Sequence, residues 1–78
     1  MHRDPPAPDW VLLRRRVIGT QLRSARKEAH LTQQQLAERI DRDVKSISRW
    51  ENGHRAPDLT DLILIAGALG VPLSDLVR

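Results

Sequence analysis

The feature that most constrains the fold of this chain is residues 31–57, which read LTQQQLAERIDRDVKSISRWENGHRAP. Thr32 and Gln35 have the spacing of a capping box, in which two side chains bond to each other's free backbone N–H groups at the start of a helix. Leu31, just before the cap, is placed to pack against Leu36. The apolar residues that follow recur at helical spacing: Leu36, Ala37 and Ile40. The pattern predicts a short helix with one buried face.

Three charged residues, Asp41, Arg42 and Asp43, interrupt this periodicity. Aspartate tolerates the left-handed backbone conformation better than most residues, so we expect Asp41 to end the helix. Asp43 is a preferred residue type for capping the next one. We expect the stem of Arg42 to cover apolar surface while its guanidinium reaches water. These residues therefore predict a tight turn between two helices.

A second helix is predicted from Val44 to Glu51. Ile47 and Trp50 lie three residues apart and should both face the core, with Trp50 anchoring the helix on the bundle. Its polar side chains point elsewhere: Lys45, Ser46, Ser48 and Arg49. Asn52-Gly53 ends the helix, and we expect Gly53 to adopt a positive φ.

This segment resembles the helix-turn-helix domain of the Cro and C1-type phage repressors and their bacterial relatives. The family pattern is roughly L-T-Q-x-x-L-A, then G-V-S at the turn, then I-S-x-(aromatic or aliphatic)-E-x-G-x-x-x-P. Eleven positions match it: Leu31, Thr32, Gln33, Leu36, Ala37, Ile47, Ser48, Trp50, Glu51, Gly53 and Pro57. The flanks extend the resemblance to about residues 17–77. Asp41 replaces the turn glycine, and Arg42 replaces the apolar residue after it.

The resemblance implies an all-α fold, a compact four- to five-helix orthogonal bundle of the lambda-repressor-like type, with its helix-turn-helix motif at residues 32–51. The major groove of DNA admits an α-helix and presents a distinct donor and acceptor pattern for each base pair. We therefore expect a sequence-specific double-stranded DNA-binding transcriptional regulator that places residues 44–51 in that groove.

Three side chains stand where relatives most often read bases: Val44, Lys45 and Arg49. Arg49 could hold guanine O6 and N7 with its forked guanidinium, or it could be a phosphate contact or an exposed charge. Lys45 could contact either a base or a phosphate. Val44 could contact a thymine methyl or lie at the rim of the core. The run Arg14–Arg16 could contact DNA beside the main site, although such a run is usually a solvated face.

Phosphate contacts are expected at five polar residues, each of which could instead be a plain surface side chain: Gln33, Ser46, Ser48, Asn52 and Arg55. Gln33 opens the first motif helix, where its backbone N–H and side chain could hold a phosphate. The resemblance also implies a salt bridge between Arg26 and Glu51, which would fix the pose of the reading helix.

The rest of the chain divides simply. Residues 1–8, with three prolines, are expected to form a flexible arm, and residues 9–78 the DNA-binding domain. Asp9 should cap a first helix that starts at Trp10, with a bend or a meeting of two helices near Arg16–Gly19.

A fourth helix should begin after Asp58 and end at Gly70, with a largely buried face made by Leu59, Leu62, Ile63, Ile65, Ala66 and Leu69. A short fifth helix is expected from Pro72 to Val77.

Composition limits the alternatives. A chain of 78 residues makes one small domain with little room for an enclosed active site. It has no cysteine, and its three histidines lack ligand-like spacing, so we expect no enzyme, metal or cofactor. No run approaches the ~18 apolar residues of a membrane span, and the N-terminus lacks a signal-peptide core, so a cytoplasmic location is expected. The net charge of +3 is uneven, because residues 56–78 hold one basic side chain against three acidic ones.

Two questions stay open at the level of sequence. The chain could be an antitoxin-type module that binds a small partner protein and its own operator, which co-purification would reveal. One helix in one groove rarely discriminates enough, so we expect a homodimer, formed in solution or only on DNA. Its contact surface is expected at Leu73, Leu76 and Val77, or at Trp10 and Leu13.

Overall fold

The computed structural model describes residues 6–78, which form five α-helices and no strand within that range. The helices are α1 (Asp9–Glu28), α2 (Gln33–Ile40), α3 (Val44–Glu51), α4 (Leu59–Leu69) and α5 (Leu73–Val77). α1 packs against α3 and α5, α2 packs against α3 and α4, and α4 contacts α5. The expected all-α fold is confirmed. Among the described residues, no helix has both the length and the apolar composition needed to cross a membrane.

Each helix contributes one large, fully buried side chain to the core: Leu22, Leu36, Ile47, Ile65 and Leu76. Trp50 is only 4% exposed, as expected for an anchor of α3. Leu76 is 0% exposed, so it is not available for the contact surface expected at the C-terminal end, whereas Leu73 and Val77 are half-buried against the core. The expectation is thus wrong for Leu76 and stays a prediction for Leu73 and Val77.

The caps of the two motif helices follow the sequence. Gln35 N–H donates to Thr32 Oγ1 at 3.0 Å and Thr32 N–H donates to Gln35 Oε1 at 2.8 Å, which completes the capping box of α2. Asp41 ends α2 in the left-handed conformation with φ 55° and ψ 50°. Asp43 caps α3 through a 2.7 Å bond from Ser46 N–H to its Oδ1. A turn without glycine therefore forms between α2 and α3.

The first helix corrects two expectations. It begins at Asp9, one residue early, and Asp9 does not cap it; the Pro8 carbonyl accepts the first bonds from Val11 N–H and Leu12 N–H at 3.0 and 3.2 Å. Gly19 produces neither a break nor a second helix, because α1 runs unbroken past it. Of the arm expected at residues 1–8, residues 1–5 lie outside the described part of the chain.

One expectation about the surface near α4 was also wrong, and a second was incomplete. Leu59 and Ile63, expected in its buried face, are 64% and 55% exposed. The guanidinium of Arg42 does not simply reach water, because its Nε donates to Asp61 Oδ1 at 2.9 Å. Asp61 is a buried carboxylate in the capping box that Asp58 begins, and a buried charge requires a partner. Arg42, which stands where the family pattern has an apolar residue, thus pairs with the carboxylate of Asp61 on α4.

Candidate nucleic-acid interface

The outer face of α3 is polar and its inner face is apolar. Its polar positions are spaced as i, i+3, i+4 and i+7, extending into the loop that follows: Lys45, Arg49 and Asn52 are exposed and Ser48 is half-buried. Ile47 and Trp50 lie on the opposite side in the core, at 1% and 4% exposure. Val44 is 40% exposed beside this face. The three residues expected to contact bases are therefore all accessible on one short helix.

A buried ion pair fixes the end of α3 to α1. Arg26 Nε donates to Glu51 Oε2 at 2.7 Å, and Nη2 donates to Oε1 at 2.9 Å. The third guanidinium nitrogen donates to the Leu31 carbonyl at 2.8 Å. The Glu51 hydrogen bond raises the pKa of Arg26 above its ordinary value, against the opposing effect of burial. The two side chains that the resemblance pairs are thus in bidentate contact.

Gln33 joins this pair from α2. Its Nε2 donates to Glu51 Oε1 at 3.2 Å, and the residue is half-buried. The side chain of Gln33 therefore bonds to the protein, and its backbone N–H lies in the first turn of α2, where helices leave such groups without an internal partner. Sequence reasoning missed this contact, because nothing in the spacing of Gln33 and Glu51 marks it.

Two glycines let α1 approach the end of α3 closely. A Cβ built on Gly19 would lie 2.5 Å from the Trp50 carbonyl oxygen and 2.6 Å from that of Glu51. A Cβ on Gly53, whose φ is +73°, would lie 2.7 Å from Arg16 Cγ. The loop after α3 therefore packs directly against α1. The positive φ expected of Gly53 is confirmed.

The two phosphate-contact candidates in the loop after α3, Asn52 and Arg55, differ in their hydrogen bonding to the protein. Asn52 Nδ2 donates to the Ser48 carbonyl at 2.8 Å and approaches Ser48 Oγ at 3.4 Å, so these two side chains form one unit. Arg55 is exposed and lines a shallow hollow that Arg42 and Ser46 also line. The five residues expected at phosphates thus lie on both flanks of α3, since Ser46 and Ser48 are on opposite sides of the helix.

The electrostatics of this face are mostly cationic with one acidic exception. The pKa of Asp43 is held below its ordinary value, first by the hydrogen bond from Ser46 N–H and further by the charges of Lys45 and Arg49. In the arginine run, Arg14 Nη2 donates to the Val77 carbonyl at 2.9 Å, so that side chain is directed to α5. Among residues 6–78, no group of three His, Cys, Asp or Glu side chains is placed to hold a metal ion.

Comparison with known proteins gives consistent relatives. The immunity repressor protein of Bacillus phage phi105 is 37% identical over 60 residues, which cover 77% of this chain and 42% of that protein. The chain thus spans less than half the length of that relative. The crystal structure of the clp gene regulator ClgR from Corynebacterium glutamicum matches with a TM-score of 0.78 at 30% identity, covering 91% of this chain and 71% of that one. A second crystal structure of ClgR gives 0.76 at 28% identity, covering 81% and 82%.

The helix-turn-helix family model matches residues 22–76, which is more than half of the chain and includes α2, α3 and α4. This range contains the capped motif, the left-handed turn at Asp41 and the buried pair of Arg26 and Glu51. The chain belongs to the Cro/C1-type helix-turn-helix family.

Proposed function

We propose that this chain is a sequence-specific, double-stranded DNA-binding transcriptional regulator, a binding rather than a catalytic protein, that acts in the cytoplasm. The observation that carries the proposal is the polar face of α3, Lys45, Ser48, Arg49 and Asn52, held rigidly by the buried pair behind it. A rigid helix with one polar face fits the width of the major groove. Two of the relatives are named as a repressor and a gene regulator, which supports the same role.

Base reading is assigned to the exposed side chains of α3. Arg49 and Lys45 lie four residues apart on the outer face, so both can reach base edges from one helix position. Val44, 40% exposed at the first turn, would meet a thymine methyl. The orientation of all three depends on Arg26 and Glu51, because this pair fixes the C-terminal end of α3.

Phosphate contacts are assigned to the two flanks of α3, since a helix in the major groove has a DNA backbone on either side. Ser46 and Arg55 would serve one flank, where they line the same hollow. Ser48 and Asn52, already bonded to each other, would serve the other. Gln33 lies on that second side through its contact with Glu51, and there its backbone N–H at the start of α2 would bind a phosphate oxygen.

Binding-site selection from a random pool of double-stranded DNA tests the proposal. The protein should enrich one sequence motif, and a variant carrying Lys45→Ala and Arg49→Ala should not. Arg78→Ala is the matched control, because it removes a positive charge from the far end of the chain and should leave the enriched motif unchanged.

Enrichment of no motif by the unaltered protein would contradict the proposal. Co-purification of a second small protein in that case would favour the antitoxin-type alternative, which stays a prediction.

A further inference from the structure

The outer face of α4 is an apolar surface that the bundle leaves uncovered. Leu59, Ile63 and Leu64 are 64%, 55% and 36% exposed, respectively. The single ionisable residue within α4 is Asp61, which is buried beneath Arg42, so this face carries no charge. A surface helix normally places charged or polar residues on its outer side. A contiguous exposed apolar stripe therefore indicates a contact surface.

A glycine notch lies within this stripe. Gly67 is exposed in the last turn of α4, and a Cβ added there would meet no atom within 4 Å. Glycine has a lower helix propensity than alanine, and no contact within the chain requires its lack of a side chain, so the single chain gains nothing from it. Beside the notch runs a shallow groove between α2 and α4, lined by Arg39, Ile40, Ile63, Leu64, Gly67 and Ala68. A close approach from outside the chain would explain the absent side chain.

We propose that this groove receives Leu59 from a second copy of the same chain, in a symmetric antiparallel contact of α4 with α4. Leu59 and Gly67 each lie four residues from Ile63, on the same helix face. In a two-fold arrangement Ile63 meets its own counterpart on the axis, and each Leu59 meets Gly67 of the other copy. The two-fold axis thus creates two identical contacts, each between Leu59 of one copy and Gly67 of the other.

Charge at the two ends of the stripe agrees with this orientation. Asp58, exposed and acidic, comes immediately before Leu59. Arg39 is exposed at the opposite end, where its Nη1 approaches the Ala68 carbonyl at 3.5 Å. Antiparallel pairing brings Asp58 of each copy toward Arg39 of the other. A parallel arrangement would instead place like charges together, so complementarity selects the antiparallel one.

The size of the surface sets the strength of the contact. A stripe two turns long is much smaller than the roughly 800 Å² per partner that stable protein complexes bury. The contact is therefore weak between free copies and becomes effective when two copies are held side by side. Two copies bound to adjacent DNA half-sites would be held in this way. This role rests on the proposed function, whereas the contact between copies does not.

The test uses the absence of cysteine from the chain, so that each introduced thiol is unique. The Leu59→Cys and Gly67→Cys variants are mixed in equal amounts without DNA and oxidised gently, and each is also oxidised alone. The mixture should give at least several-fold more disulfide-linked dimer than either variant alone, because position 59 of one copy faces position 67 of the other and neither position faces its own counterpart. The Ile63→Cys variant should cross-link by itself, since it lies on the axis.

Sedimentation measurements provide the second readout. Ile63→Arg places two like charges on the axis and should abolish the concentration-dependent rise in mass, whereas Leu13→Arg, at a similarly exposed apolar position of α1, should not. Gly67→Ala fills the notch and should weaken self-association several-fold while raising the melting temperature of the dilute protein. Equal cross-linking of all thiol variants, or loss of association in Leu13→Arg alone, would overturn the proposal. Because no DNA is present, either result leaves the proposed regulator function to its own test.

Discussion

Replacing Gly19 with alanine should destabilise the fold, although a glycine-to-alanine change inside a helix ordinarily stabilises it. The cause is the contact between α1 and the last turn of α3. The new Cβ would lie 2.5 Å from the Trp50 carbonyl oxygen, against 3.4 Å for ordinary contact, a deficit of 0.9 Å. The obstructing atoms belong to the main chain, so no side-chain rotation can relieve the clash.

The size of the effect follows from two opposing contributions. Forcing an extra carbon into a packed contact costs about 1–3 kcal/mol. A rigid main-chain neighbour places Gly19 near the upper end of that range, about 3 kcal/mol. Alanine returns about 1 kcal/mol of helix propensity. The free energy of unfolding should therefore fall by about 2 kcal/mol, which lowers the melting temperature of a domain this small by roughly 8–16 °C.

The matched control is Gly67→Ala, the same change at an exposed helical position, in the last turn of α4, with open space around it. It should raise the free energy of unfolding by up to about 1 kcal/mol. Both variants are measured by thermal and urea denaturation followed by far-UV circular dichroism, in dilute protein. A Gly19→Ala variant as stable as the unaltered protein would refute the close approach of α1 to α3.

Three further predictions concern the interface and its support. Arg49→Ala should weaken binding to the selected DNA site by about 1–3 kcal/mol in free energy and relax the preference at one base pair. Arg55→Ala should weaken binding to all sequences alike and reduce the salt dependence of binding by about one released counterion. The same loss of affinity and the same base preference for both variants in competition binding would contradict this assignment. Arg26→Met and Glu51→Leu should each cost about 3–5 kcal/mol by leaving a buried charge unpaired, and the double variant much less than their sum; additivity in urea denaturation would mean that the pair adds nothing. Folding lowers the pKa of Asp43, so the stability contributed by its ionised cap is fully present above the ordinary pKa of 3.8 and is lost as the pH falls through the lower pKa of the folded state. Asp43→Asn keeps a capping side chain that does not titrate, so its free energy of unfolding should fall less steeply in acid. An acid denaturation profile identical to that of the unaltered protein would exclude this contribution.

The local features of the fold could be predicted because they depend on neighbouring residues. The capping box of Thr32 and Gln35, the left-handed Asp41 and the cap at Asp43 each involve groups no more than four residues apart. The start of α1 was misjudged for an equally local reason, because Pro8 has a φ near −60° and supplies its carbonyl to the first turn. Sequence rules for caps favour Asp9 and do not weigh this alternative.

The features that position the candidate interface could not be predicted in the same way. Gln33 and Glu51 are eighteen residues apart, and Arg42 and Asp61 nineteen, so only tertiary packing brings them together. The pairing of Arg26 with Glu51 came from the family resemblance and not from its spacing. Apolar Leu59 and Ile63 were assigned to the core because hydrophobicity alone does not distinguish a buried side from an uncovered one.

The carboxylate of Glu51 has a thermodynamic consequence for binding. Its two oxygens accept three bonds, two from α1 and one from α2, before any ligand arrives. The backbone of α3 is therefore ordered before any ligand arrives, so binding through this helix requires no folding of that segment. Calorimetry should accordingly find a heat-capacity change that corresponds to the surface covered in the complex, without the larger negative change that accompanies folding on binding.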